Sequence, residues 1–536
     1  MGKGERSYSF NSLSFSETLV EHGVISPSRL DSLPTILDDT IATAKKVETV
    51  GRLHLSNKPA CRWKIGHSKD ALGSVHNKLE KAPTLLSIVT YLNILTLTIL
   101  GHFRDFFGKL FKADEYAHLR YHEGYAPLVS DFDSFYTRRM YMRIRLTGKS
   151  TKNLNLSSYN YLGFAQNTGP CADIVEKNVR LQGITSCSPR AEAGTTELHR
   201  ELERTVARFV GKEDAMVVSM GFATNSTTIP ALVGKDCLII SDELNHSSII
   251  FGARLSGASV RTFKHNDMEN LEELLKEVIS QGRPTDHARW KKILLIVEGL
   301  YSMEGTIVNL PALIQLKKKY KFYLYVDEAH SIGALGDVGG GVCNFWGVDP
   351  ANVDILMGTF TKSFGSAGGY IAGDKAIINH LRVQNHAYLY AESMSVPVTQ
   401  QVITSMKIIA GEDGTKEGKR RIERLKNNSL YFSKRLKHMG LIVYGDTGSP
   451  VIPLLLIQPA KIPSFSREML KRGIAVVVVG YPATPIDEAR ARFCISASHT
   501  KEDLDYALQA ISEISDKISL RVRKETPYID DELSYS

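Results

Sequence analysis

The chain reads as an α/β protein: a large domain on a mostly parallel central sheet, a smaller α+β domain behind it, and a membrane helix in front. Three observations carry that reading. Short apolar runs recur through residues 155–397, and each ends on polar, chemistry-bearing types. An uncharged stretch near residue 90 is long enough to cross a bilayer. Lys362 sits in Thr359-Phe360-Thr361-Lys362-Ser363-Phe364, ahead of Gly365-Ser366-Ala367-Gly368-Gly369-Tyr370 and away from any carboxylate in sequence.

Residues 1–81 are polar and weakly periodic, a region expected to be mobile, and begin without the apolar core of a secretory signal. From Pro83 to Leu100 the chain carries no charge, and 82–103 is expected to form a membrane-spanning or interfacial helix. Lys78 and Lys81 precede it while Arg104, Lys109 and Lys112 follow, so flanking charge sets no orientation. Residues 104–154 read as a linker and arm. The large domain, 155–397, has strand-like runs at Ala215–Val218, Cys237–Ile240, Ile293–Val297, Tyr323–Val326 and Ile355–Met357. Each is apolar at successive positions, as strands buried on both faces must be. The smaller domain, 398–522, holds Val451–Leu456 and Ala475–Val479, and 523–536 is a polar tail.

Composition narrows the function. The chain is 43% hydrophobic and 23% charged, within the ordinary globular range. A net charge of +8 over 536 residues, with no long basic run, gives no nucleic-acid footprint. Six scattered cysteines without a Cys-x-x-Cys pair argue against a metal site and a disulfide framework. Asp327-Glu328-Ala329-His330 matches the tetrad of some helicases, which also need a phosphate loop. The only Gly-Lys-Ser, at 148–150, has Arg143 where that loop requires glycine, so the reading fails.

One cofactor explains the clusters: a phosphate, a pyridine ring and an aldehyde, that is, pyridoxal phosphate. Burial lowers a lysine's pKa and exposes its nucleophilic form, so Lys362 is the expected imine partner of the aldehyde. Gly221-Phe222-Ala223-Thr224-Asn225 lies between strand and helix, where free N–H groups favour a phosphate, and Thr359 could add a hydroxyl. Asp327, at a strand's carboxyl end, would keep the ring nitrogen protonated and the ring an electron sink. His246 could stack on the ring, and His330 and Ser302 could bond its hydroxyl. A single acid or histidine at a strand end is more often structural, and Ser302 could merely cap a helix. Five such features converge on one chemistry.

Those residues also carry a resemblance. Asn160-Tyr161-Leu162-Gly163-Phe164, Gly221–Asn225, Asp242–Ser247, Val297–Gly305, Asp327–Gly333, Gly358–Gly369, Tyr481-Pro482-Ala483-Thr484-Pro485 and Arg490-Ala491-Arg492 resemble the α-oxoamine synthases, fold-type I pyridoxal phosphate enzymes. Within them the chain looks like the catalytic, long-chain-base subunits of eukaryotic serine palmitoyltransferases, over roughly residues 115–520. The resemblance implies condensation of L-serine with a long-chain acyl-CoA, usually palmitoyl-CoA, to 3-ketosphinganine, carbon dioxide and CoA. It implies Lys362 as acid/base, Arg492 (with Arg490 as rival) for the serine carboxylate, and Asn160 as a substrate contact. It implies a related non-catalytic partner in a heterodimer, small regulatory membrane subunits, and the endoplasmic reticulum membrane with the body facing the cytosol. A glycine- or alanine-using relative and a non-catalytic scaffold are the alternatives; the presence of Lys362 argues against a scaffold. Two departures stand out. Only a dozen residues separate Arg143-Ile144-Arg145 from Ser158, fewer than in family members, and Pro189 stiffens the loop Thr185-Ser186-Cys187-Ser188-Pro189-Arg190.

Overall fold

The computed structural model describes residues 82–112, 114, 116, 152–481, 483–524 and 526. The N-terminal region 1–81, most of the arm at 104–154, Pro482 and most of the tail at 523–536 lie outside the described residues.

Seven strands build the large sheet: β1 (Asp214–Val218), β2 (Leu238–Asp242), β3 (Ser259–Phe263), β4 (Ile293–Glu298), β5 (Tyr323–Asp327), β6 (Ile355–Thr359) and β7 (Gly369–Gly373). Their order is β1-β7-β6-β5-β4-β2-β3. Neighbours pair in parallel from β3 through β6, while β7 is antiparallel to both β6 and β1. Six strands therefore point one way, and their carboxyl ends lie along one edge. Alternation within the runs explains the burial. Ile240, Leu295, Val297, Leu324, Val326 and Leu356 enter one apolar cluster. Ile239, Ile296, Tyr325, Met357 and Ile371 enter the other. Both faces are covered, so neither member of an alternating pair can be polar.

The helices start where the sequence supplies caps. Helix α1 (Thr84–Phe111) precedes the sheet. Helix α2 (Glu197–Val210) is opened by a capping box between Thr196 and His199 and buries Leu198, Leu202, Val206 and Val210 on one stripe. Each such side chain contributes roughly 1.5–3 kcal/mol by leaving water. Helix α3 (Gly221–Leu232) follows β1, and α4 (Ser247–Ser256) follows β2 with His246 as its N-cap. Helix α5 (Val396–Ile409), with Pro397 in its first turn, leads out of the large domain.

Beyond it a three-stranded antiparallel sheet holds β8 (Val451–Ile457), β9 (Val477–Val479) and β10 (Ala489–Cys494), in the order β9-β10-β8. Leu154–Asn155 pairs in parallel with Ile474–Ala475. The Leu156 carbonyl then accepts the Cys494 N–H at 2.9 Å. That stitching anchors the segment that carries Tyr159 and Asn160.

Helix α1 is longer than the sequence reading placed it: 28 residues, running on to Phe111 rather than ending at 103. Its length is about 42 Å at the α-helical rise. The polar residues from His102 onward are good enough helix formers to continue a helix already nucleated by the apolar run. Leu85, Leu92, Leu95, Leu100, Phe103, Phe106 and Phe111 are exposed along it. Its start is held: Ala82 and Leu86 pack against Ile442, Tyr444, Leu455 and Ile457. Among the described residues it is the one helix long and apolar enough to cross a membrane.

Candidate active site

Five strand ends meet at the sheet's carboxyl edge. Register places Glu298 beside Asp327 on β4 and β5, and Thr359 beside Gly369 on β6 and β7. Val218, at the end of β1, pairs with the same Gly369. Gly221 opens α3 directly opposite Thr359: a Cβ added to it would lie 3.1 Å from Thr359 Cγ2. Gly368 has φ +88, and an added Cβ would come within 2.6 Å of the Val218 carbonyl. This corner is therefore a backbone-lined cradle under a helix N-terminus with a hydroxyl beside it, a shape suited to a phosphate.

Lys362 follows that corner. Its amine is surrounded by protein, and burial pulls it down to about 8 against the opposing pull of the Asp327 and Glu298 carboxylates. Nζ lies 5.6 Å from the centre of the Tyr159 ring. The same ring receives the Arg492 guanidinium at 4.5 Å and the His330 ring edge at 4.8 Å. Tyr159 is the hub that gathers three of the sequence-selected residues. Burial holds its own hydroxyl up at about 12, so the ring stays neutral beside two cations.

Asp327 is buried and accepts two hydrogen bonds, from Asn225 Nδ2 at 2.7 Å and from the Ala329 N–H at 2.8 Å. Glu298, its neighbour, accepts the His246 N–H at 2.6 Å; burial first, and the Asp327 charge second, push its carboxyl well above the usual range. Of the two adjacent carboxyls, Glu298 is thus the one whose charged form is disfavoured. Glu328 turns the other way and accepts from the Ser331 hydroxyl and the Val342 N–H, so the second acid of Asp-Glu-Ala-His is structural.

His246 keeps an open ring face at the start of α4, 6.3 Å from the half-exposed Phe222, and burial lowers its pKa. His330 is enclosed, and burial, followed by the nearby Lys362 and Arg492 charges, holds it well below its ordinary value. The Tyr161 hydroxyl bonds its Nδ1 at 2.8 Å, which leaves Nε2 as the nitrogen facing other partners. Ser302 is buried in the turn between Tyr301 and Met303 and caps no helix.

The two arginines differ sharply. Arg490, 1% exposed, is saturated by Glu304 at 3.2 Å, Glu488 at 2.8 Å and the Met303 carbonyl at 2.9 Å. Arg492, also buried, has no described carboxylate within ion-pair range; it touches Met303 Sδ at 3.6 Å, and its Nε has no hydrogen-bond partner. A buried guanidinium without a carboxylate is costly unless one arrives. Asn160 lies next to the hub: its Oδ1 accepts the Ala165 N–H at 3.2 Å, and its carbonyl accepts the Ser496 hydroxyl at 2.6 Å. In the loop that carries Pro189, Arg190 is buried against Glu203 at 3.0 Å, which anchors the loop rather than serving the site.

Comparison with known proteins decides the family. The family described as aminotransferase class I and II matches residues 151–511. Serine palmitoyltransferase 2 of Schizosaccharomyces pombe is 51% identical over 485 residues, which span 85% of this chain and 80% of that protein. This chain belongs to the serine palmitoyltransferase family. Among solved structures, the serine palmitoyltransferase of Sphingomonas wittichii is similar with a TM-score of 0.64 at 28% identity, covering 69% of this chain and 89% of that one. A structure of SPT with PLP is similar with a TM-score of 0.66 at 25% identity, covering 73% of this chain and 99% of the other.

For this serine palmitoyltransferase-family site, the sequence had singled out Asn160, Gly221, Phe222, His246, Ser302, Asp327, His330, Thr359, Lys362 and Arg492. The structure adds Tyr159, Tyr161, Asn225 and Glu298. Tyr159 stood in plain sight in Ser-Tyr-Asn-Tyr, where a tyrosine before the quoted asparagine gives no sign of meeting both an amine and a guanidinium. Glu298 was visible as the polar end of an apolar run, the same signal that marked Asp327.

Proposed function

We propose that the chain catalyses the pyridoxal phosphate-dependent condensation of L-serine with palmitoyl-CoA, releasing carbon dioxide and CoA and leaving 3-ketosphinganine. One observation carries the reading at the site: an amine lowered to about 8 and a buried guanidinium lacking a carboxylate share the Tyr159 ring. The first suits covalent attachment of an aldehyde, and the second suits capture of an amino-acid carboxylate. The family match supports the choice of substrates.

The residues fit the cofactor. The Gly221 helix start, Thr359 and the Gly368–Gly369 backbone would hold its phosphate. Asp327 would bond its ring N–H, His246 would cover one ring face, and His330 and Ser302 would approach its hydroxyl. Lys362 would bind its carbonyl carbon. When bound, pyridoxal phosphate supplies an electron sink for a carbanion at the serine Cα. Lys362, with its amine free, would be the base placed to take the serine Cα proton and later to return one. Arg492 orients the carboxylate that leaves as carbon dioxide, and Asn160 borders the same space. Tyr159 offers its ring to both cations.

The exposed α1 supports attachment to a membrane. The related non-catalytic partner, the small regulatory subunits, the endoplasmic reticulum and a cytosol-facing body rest on the resemblance alone. The test is turnover by the purified protein with its partner. Serine, alanine and glycine are offered against acyl-CoAs of increasing length. Serine with palmitoyl-CoA is expected to give the highest kcat/KM; a preference for glycine or for short acyl chains would overturn the substrate assignment.

A further inference from the structure

A run of buried side chains behind the site links two residues that act on the cofactor. Tyr325 is fully buried on β5 and donates its hydroxyl proton to Asn225 Oδ1 at 2.7 Å. That bond settles which way the Asn225 amide points. Its NH2 group then donates to Asp327 Oδ2 at 2.7 Å and to Ser248 Oγ at 3.0 Å. Ser248, having accepted there, turns its own proton to His246 Nδ1 at 2.7 Å, and the Ser248 N–H points to the same nitrogen at 3.2 Å. Every bond in the chain runs in one direction, outward from Tyr325. Asn225 and Ser248 are 1% and 2% exposed, so no bulk water can replace a lost partner.

We infer that Asn225, locked by Tyr325, is a positioning residue that sets Asp327 as an acceptor toward the cofactor's ring nitrogen and His246 as the tautomer protonated on Nε2. The polarity argument is strict. Asp327 receives an N–H from the protein side, so its carboxylate can be ionised without leaving a lone pair bare. His246 receives a proton at Nδ1 from Ser248, so it is neutral and carries its own proton on the outer nitrogen. This agrees with burial lowering its pKa. Without Asn225, Asp327 keeps one described donor, the Ala329 N–H on Oδ1.

The inference rests on the cofactor reading above, and its test separates the two. Full-length wild type, Asn225→Leu and Tyr325→Phe, each with its partner subunit, are stripped and reloaded with pyridoxal phosphate. The dissociation constant, the pH midpoint of the visible absorbance band and the thermal midpoint are then recorded. Asn225→Leu is expected to bind the cofactor at least about tenfold more weakly. Its absorbance midpoint should move as Asp327 loses its hold on the ring proton. Tyr325→Phe, which frees the amide to flip, should shift the same midpoint in the same direction by less. A merely structural role would lower the thermal midpoint and leave the absorbance midpoint unchanged. Wild-type affinity and midpoint in a folded Asn225→Leu overturns the inference; if that variant does not fold, an unchanged Tyr325→Phe does so. A wild type that takes up no cofactor overturns the parent reading instead.

Discussion

Lys362 owes its character to what surrounds it. An amine held to about 8 is half unprotonated at that pH and about one-tenth so at pH 7. Because the neutral form attacks the aldehyde, uptake of pyridoxal phosphate by stripped protein should quicken about fivefold from pH 7 to pH 8 and level off above pH 9. Stopped-flow absorbance checks this, and a rate still climbing steeply at pH 10 would mean an ordinary lysine. Arg490 and Arg492 give a paired prediction. Arg492→Lys loses the planar fork and should raise the KM for serine at least about tenfold with the thermal midpoint kept. Arg490→Ala strands Glu304 beside a hole and should cost about 3–5 kcal/mol of stability in denaturant titration. The resemblance favoured Arg492 with Arg490 as rival, but at a spacing of two on one strand no local pattern separates these arginines. Only their partners separate them: two carboxylates for one, none described for the other.

At the scale of elements, the strands buried on both faces were legible because each is a continuous apolar run. The two strands of the large sheet that the sequence reading missed fail that test for physical reasons. Ser259–Phe263 lies at the sheet edge and exposes four of its five residues. Gly369–Gly373 is bounded by glycines and reads as the tail of the lysine motif, although it buries every residue. Its first glycines are there for the cradle. Gly368→Ala must hold φ +88 and push against the Val218 carbonyl, a strain of roughly 1–3 kcal/mol. The expected result is a lower thermal midpoint with a still larger loss of phosphate-dependent cofactor affinity, measured against pyridoxal without its phosphate. The membrane segment was legible as an element but not in its extent, since charge marks where a bilayer span ends and not where a helix ends. Leu92→Arg with Leu95→Arg places two charges mid-span, at about 2.5–3.5 kcal/mol each for a spanning helix. Carbonate-washed membranes should then retain far less of the protein. Retention equal to wild type would mean that those side chains do not lie in lipid.

For the whole molecule, the sheet acts as a jig. Six strands pointing one way bring residues from Val218 to Thr359 to one edge, and Tyr159 and Arg492, both outside that sheet, meet Lys362 there, although the members are spread over hundreds of positions in the chain. Sequence patterns name some members of such a site, Asp327 and Thr359 among them, because each ends an apolar run. They do not name the contacts among them: Tyr325 and Asn225 are 100 residues apart, and no local pattern announces their bond. The same holds for the stitching of residues 154–156 to Ile474–Ala475 and Cys494, which anchors the segment that carries Tyr159. The central claim is that this edge holds one covalent cofactor on Lys362. Borohydride reduction of the loaded protein, followed by protease digestion and mass mapping, tests it most directly. The account predicts a single reduced pyridoxyl adduct on the peptide containing Lys362, absent from Lys362→Ala. An adduct on another lysine, or none at all, would contradict it.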